Sequence, residues 1–343
     1  MATSFDADSS FSRLKQADLA RSPKTPPKPT HTQRALEWTL FAVFGLTIAL
    51  AGVGLYATSR PEHQKVPNRI SAGIDSDRVN VLLIGSSLRP RDGGDSEVRI
   101  ESLMLLSIQP STGRAALMSI PVDLWAKIGR YGQRPLRTAH TVGDAAGYPG
   151  GGAGLTVDTI ESIVDEPIHG YVRFSIGDVR RLVDALGGVD VAVKHGVYEY
   201  RSKYRFRPGD AHLDGTHAIR YSYSGYIAGV AASNRFMREE RQQDVLTAAL
   251  TKITKMRGDA DSLAPVFGSL TATNLSAWDI DVLVSALKRG DEIRRISFAP
   301  YLDSFDVTSV AYRGEVVGPR SGNFGALQKI ADAALDAGVA RVH

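Results

Sequence analysis

Arg238, Arg241 and Gln242 stand at positions i, i+3 and i+4 in the run REERQQ, at the head of a long segment with helical apolar spacing. On a helix those three share one face. Two guanidiniums and an amide beside a helix N-terminus make an anion cradle, because arginine grips phosphate through paired hydrogen bonds and the helix dipole adds positive charge. Taken alone, the run is also a solvated helix start in which Glu239 and Glu240 pair locally. Other chemistries are absent. The chain has no cysteine, which removes disulfides, thiolate metal sites, a cysteine nucleophile and a lipoprotein anchor. His212 and His217 are five apart and share no helical face, so they show no metal-ligand spacing. No Gly-x-Ser-x-Gly elbow occurs. Gly147 to Gly154 (GYPGGGAG) lacks the lysine and the helix start of a phosphate loop and reads as a flexible loop. Chemistry falls to arginines and carboxylates.

The elements that must position them read as an α/β fold, a central mixed sheet sandwiched between helices and preceded by one transmembrane helix. Val79 to Gly85 (VNVLLIG) is a continuous apolar run, as in a strand buried on both faces and stopped by glycine. Leu103 to Ile108 and Ala115 to Ile120 are two more strands, joined by the hairpin-like turn QPSTGR. Val157 to Val164 reads as a short helix. Asp178 to Leu186 places Val179, Leu182, Val183 and Leu186 on one helical face, Gly187-Gly188 ends it, and the strand Val189 to Val193 follows. Phe236 to Lys255 is a long helix with Val245, Leu246, Ala249 and Leu250 inward. Beyond it, helices are expected at Val282 to Leu287 and Ala326 to Ala337, with a strand at Ile296 to Phe298. Strands alternating with helices imply a sheet covered on both faces.

Trp38 to Ala57 is twenty residues without a charge, about 30 Å as a helix and long enough to span a bilayer. Trp38 and Tyr56 sit at its ends, where amphipathic rings favour the interface. Residues 1–57 carry six Lys/Arg against four Asp/Glu, a bias that places the N-terminus in the cytoplasm and the main domain outside. The expected organisation is a disordered basic tail over 1–34, a membrane helix over 35–58, a polar linker over 59–78 and an extracytoplasmic domain over 79–343. The remainder of the formal +4 is spread over the other 286 residues, which argues against a nucleic-acid partner.

Five runs in order, NVLLIGS, RIESLMLLSIQPSTGRAALMSIPVDLW, RRLVDALGGVDVAV, HLDGTHAIRYS and REERQQDVLTAAL, resemble the LytR-CpsA-Psr family. With the upstream membrane helix, the resemblance covers roughly residues 79–255. It implies a phosphotransferase that moves a glycopolymer from a polyprenyl-pyrophosphate carrier to peptidoglycan, with an apolar tunnel for the lipid and arginines plus Mg²⁺ around the pyrophosphate. Carried over residue by residue, Arg99, Arg238, Arg241 and Gln242 bind pyrophosphate and Glu101 binds Mg²⁺. Arg99, Asp123 and Arg238 form the catalytic set, with Asp123 holding an arginine or acting as base. The chain also departs from the pattern. Ser87 stands in place of an aspartate, Val122 in place of an arginine, and Tyr223 and Gly225 in place of two more. Arg235 stands where an aspartate is usual, one turn from Arg238, and is a compensating phosphate ligand. These losses leave open a second reading, a catalytically silent protein that binds polyprenyl lipid or cell-wall polymer as scaffold or regulator. Tyr198 to Arg207 (YEYRSKYRFR) alternates aromatic and basic residues. It reads either as a hairpin with solvated charges or as a contact for an anionic glycopolymer or lipid headgroups.

Overall fold

A computed structural model of the protein describes residues 66–90, 96–200, 202–223, 235–256, 272–309 and 312–336. All of them belong to the unit Val53–His343. The expected tail, the span Trp38 to Ala57 and Gly225 lie outside the described residues. Among the described residues, no helix is long and apolar enough to cross a membrane.

In chain order the first half carries α1 (Ile70–Asp75), β1 (Val79–Pro90), β2 (Ser96–Ile108), β3 (Ala115–Ser119), β4 (Trp125–Lys127), β5 (Gln133–Pro135), α2 (Thr138–Ala145), α3 (Gly151–Val164) and β6 (Gly170–Ser175). Next come α4 (Ile176–Ala185), β7 (Val189–Val193), β8 (Val197–Glu199), β9 (Tyr204–Phe206), β10 (Gly209–Leu213), α5 (Gly215–Tyr223) and α6 (Arg235–Lys255). The chain closes with β11 (Ala272–Thr273), α7 (Ala277–Leu287), β12 (Ile293–Ser297), the hairpin β13 (Leu302–Thr308) and β14 (Arg313–Pro319), and α8 (Gly325–Asp336). The main sheet is mixed, in the order β11-β6-β1-β2-β3-β12. β1 and β3 each run antiparallel to β2, while β6 is parallel to β1 and β12 to β3.

Period-two alternation divides the apolar residues of these strands between two helical layers. Leu82, Ile84, Leu103, Leu105 and Met118 pack with α2, α3 and α8. Val81, Leu83, Met104, Leu106 and Leu117 turn the other way, towards α6 and α7. A third cluster joins α4, α5 and α6 to β7, β8, β9 and β10. Two helices start on reciprocal capping boxes. Ser175 Oγ accepts the Asp178 N–H at 3.2 Å while Asp178 accepts the Ser175 N–H at 2.6 Å, and Ser276 with Asp279 repeats the arrangement. Each such cap contributes about 1 kcal/mol.

Three expectations are corrected. β1 continues through Gly85 to Pro90 because β2 pairs with it along that length. Part of the expected linker is α1, anchored by fully buried Ile70. The glycine-rich run is packed structure, since α3 begins at Gly151 rather than near Val157 and Gly152, Ala153 and Gly154 are buried. Close approach to α2 demands the small residues, because a Cβ on Gly152 would sit 2.3 Å from the His140 carbonyl oxygen.

Candidate functional site

β1, β3, β6 and β12 point the same way, so their C-terminal ends gather at one end of the sheet. In sheets of this kind ligands bind outside those ends. β2 enters from that end, carrying Arg99 and Glu101. A bulge shapes the entry, because the register steps from Gly85 opposite Ser102 to Ser86 opposite Ile100 and leaves Glu101 as the extra residue. The step reverses the alternation of β2. Val98 and Ile100 face the α2/α3 layer, whereas beyond the bulge it is Leu103 and Leu105 that do so. Arg99 therefore shares a face with Ser102 instead of turning into the opposite core. Glu101 is held beside it, accepting a hydrogen bond from Ser87 Oγ at 2.9 Å and lying 3.5 Å from Arg99 Nε.

Behind this entry lies an apolar cavity of about 150 Å³. Its floor is Val81, Leu83, Met104 and Leu106 of the sheet with Val172 and Phe174 of β6, and its walls come from α4, α6 and α7. Ser102, Ser222, Tyr223, Gln242 and the capping Asp178 are the polar residues that line it. Gly85 lets the lining groups close in. A Cβ there would meet Ser102 Oγ at 2.1 Å, the Tyr223 hydroxyl at 3.2 Å and the Phe174 ring at 3.3 Å.

The electrostatics fit an anion. Burial, together with the negative charge of Glu101, pushes the Tyr223 hydroxyl up to about 12 against the lowering effects of Ser102 and Arg238, so it is a neutral donor at physiological pH. Burial lowers the Arg241 guanidinium, and the nearby Arg238 charge adds to the effect. Arg241 Nε donates to the Tyr221 carbonyl at 2.7 Å, and the Tyr221 hydroxyl donates to Asp244 at 3.1 Å. Arg295 pairs with Asp244 from the other side. Among the described residues, both amide atoms of Gln242 are buried without a hydrogen-bond partner, and so is Arg238 Nε. Leaving such groups unmet costs about 1–3 kcal/mol each, so their clustering at the head of a cavity points to a polar ligand group.

The structure thus brings Glu101 and Arg238 close to Tyr223, which lines the cavity together with Gln242, while Arg99 lies beside Glu101 and Arg241 near Arg238. Arg235 is the first residue of α6, and its side chain lies outside the described residues. Asp123 forms an ion pair with Arg137, whose Nη2 also donates to the Tyr312 hydroxyl at 2.9 Å, so its carboxylate is engaged. Ser102 and Tyr223 were not singled out as site residues from sequence, Tyr223 entering only as a lost arginine. Ser102 immediately precedes the apolar run Leu103 to Ile108, and no sequence signal marks it. Among the described residues, no group of three or more His, Asp or Glu can hold a metal ion. A cation caged by protein alone does not fit. The Glu101 carboxylate with the Ser87 hydroxyl offers a site only for an ion that shares phosphate oxygens and keeps its waters.

The LytR_cpsA_psr family model matches residues 50–308. The chain is 29% identical over 231 residues to the polyisoprenyl-teichoic acid–peptidoglycan teichoic acid transferase TagU of Oceanobacillus iheyensis, covering 67% of each protein. Among solved structures it is similar to TagV of Bacillus subtilis, with a TM-score of 0.61, 20% identity, and coverage of 76% of this chain and 98% of that one. It is also similar to the B. subtilis LytR-CPS2A-psr family protein YwtF (TagT) with bound octaprenyl pyrophosphate lipid, at TM-score 0.53 and 22% identity, covering 76% and 90%.

Proposed function

Since the chain belongs to the LytR_cpsA_psr family, we propose that it transfers a glycopolymer from a polyprenyl-pyrophosphate carrier to peptidoglycan. The observation that carries this reading is the juxtaposition of an apolar cavity with a cluster of arginines and an unpartnered, buried Gln242 amide. Relatives named as teichoic acid transferases, and a solved relative holding octaprenyl pyrophosphate, support it. The prenyl chain occupies the cavity, where each buried five-carbon unit contributes about 4 kcal/mol. Arg99, Arg238 and Arg241 hold the phosphoryl oxygens, joined by Arg235 from the start of α6. Gln242 and the Tyr223 hydroxyl meet the junction between phosphate and prenyl chain, and Asp123 holds Arg137 at the same end of the sheet.

In breaking the pyrophosphate, negative charge redistributes over the phosphoryl oxygens, and prearranged cations stabilise it without reorganising. Mg²⁺, when bound at Glu101, adds a further positive charge against the phosphate. We place the protein in the cell membrane, held by a single helix at Trp38 to Ala57, with its N-terminus cytoplasmic and this domain outside. Its partners are then the lipid-linked polymer, peptidoglycan and the membrane.

The test is cleavage of a short polyprenyl pyrophosphate with and without Mg²⁺, beside Arg238→Ala. The expected result is metal-dependent cleavage that falls about 10²–10³-fold in the variant. Binding without cleavage in either metal condition would replace the transferase by a protein that only binds the lipid, and no binding would remove both.

A further inference from the structure

The hairpin of β8 and β9 plays no part in the cavity or its mouth, yet its outward chemistry is concentrated. Tyr200 is 52% exposed and Tyr204 38%. Tyr198 meets Tyr200 edge-on at 5.0 Å, and the Arg205 guanidinium lies 5.4 Å from the Tyr198 ring centroid. Lys203, Arg205 and Arg207 are exposed. The hairpin's one acid turns inward, for Glu199 is buried and accepts hydrogen bonds from the Ser202 N–H at 2.8 Å and the Ser202 hydroxyl at 2.5 Å. What reaches solvent is aromatic rings and cations.

The hairpin is also anchored to the site. Buried Phe206 packs on Tyr221 at 5.4 Å, and Tyr204 lies 4.6 Å from His217 of α5. Tyr221 is the residue whose carbonyl holds Arg241. A chain lying on the hairpin therefore sits beside the helix that forms the cavity mouth.

We propose that this hairpin is a binding surface for a phosphate-bearing glycan chain, an inference that rests on the glycopolymer reading above. Tyrosine rings present flat apolar faces to sugar rings while keeping a hydroxyl for hydrogen bonds. Lysine and arginine supply charge-assisted contacts to phosphates repeated along the polymer. A membrane surface fits less well, since docking onto a bilayer buries an apolar face, and the apolar Val197 and Phe206 of this hairpin turn into the core. Among the described residues of the hairpin, the exposed side chains are tyrosines and cations.

The experiment uses the full chain in uncharged detergent. Binding is measured to soluble glucosylated poly(glycerol phosphate), to phosphatidylglycerol vesicles and, separately, to a short polyprenyl pyrophosphate. Tyr200→Ala and the double change Lys203→Gln/Arg205→Gln each lower polymer affinity about tenfold, leaving polyprenyl-pyrophosphate affinity unchanged. Polymer binding that is unaltered in either variant overturns the proposal. So does binding confined to the vesicles, or a parallel loss of lipid affinity that signals general damage. Failure of the function itself shows separately, as a wild-type chain that does not bind polyprenyl pyrophosphate.

Discussion

The two faces of the main sheet are built from alternate residues of the same strands, and they enclose different things. On the α2/α3 face, Arg173 is buried and places Nη1 3.1 Å from His140 Nε2, while the other ring nitrogen of His140 lies 3.1 Å from the Asp144 carboxylate. Asp144 in turn accepts the Gly152 N–H at 2.6 Å. His140 thus stands between Arg173 and Asp144 and answers both. On the α6/α7 face, the strands leave a cavity, and the Gln242 amide at its head has no hydrogen-bond partner among the described residues. Buried polar groups are ordinarily satisfied. The contrast separates a face organised for stability from one organised around something else.

The comparison can be broken most directly at His140. His140→Leu takes a partner from the buried Arg173 guanidinium and is expected to cost about 2–3 kcal/mol of stability, read by urea unfolding, with polyprenyl-pyrophosphate binding kept. A mild loss would mean that the filled face is not held by this chain of polar contacts. Next in size is a matched pair of enlargements. Ala249→Leu adds volume to a cavity wall and lowers lipid affinity about tenfold, with stability changed by less than about 1 kcal/mol. Ala153→Leu, into the filled face, leaves affinity alone and costs about 1–3 kcal/mol through overpacking. Equal behaviour of the two variants, in melting and in binding, would erase the distinction between the faces.

The smallest effect is a pH dependence. Burial pushes the Asp144 carboxyl up, but the His140 hydrogen bond and charge, the Gly152 N–H and Arg173 outweigh it and hold the group below its ordinary 3.8. A carboxyl depressed in the folded state contributes stability that is present above 3.8 and is lost as pH falls through the folded value. Asp144→Asn should therefore melt lower than wild type at neutral pH, with the gap closing in melts taken progressively below pH 4.

Much of the layered fold is legible in the sequence, and for identifiable reasons. β1 is apolar at consecutive positions, as a strand buried on both faces must be, and α4 shows its inner residues at helical spacing before Gly187-Gly188, both at positive φ, end it. The face that holds the cavity is not legible, because Leu82 and Leu83 are the same residue type with opposite surroundings. The start of α3 is hidden by glycines, whose poor helix propensity is overridden by close packing on α2. At the site, the spacing of Arg238, Arg241 and Gln242 is readable from helix geometry alone. The pairing of Asp123 with Arg137 is not, since it depends on the β4–β5 turn folding the chain back between them. Ser102 is not legible, because a lone serine beside an apolar strand carries no pattern.

The bulge at Glu101 has an arithmetic consequence. Which way Arg99 faces depends on whether the count of residues from Met104 back to it is odd or even, and the extra residue changes that parity. Exchanging Glu101 for another side chain preserves the count, so the strand tolerates variety of type there. Straightening the bulge at the present length would swing Arg99 into the opposite core and move Val98 and Ile100 outward, whereas deleting Glu101 removes bulge and extra residue together, so that Ile100 follows Ser102 in ordinary alternation and Arg99 keeps its face. What fixes the facing of Arg99 is therefore the residue count and the bulge together, and losing both at once changes nothing.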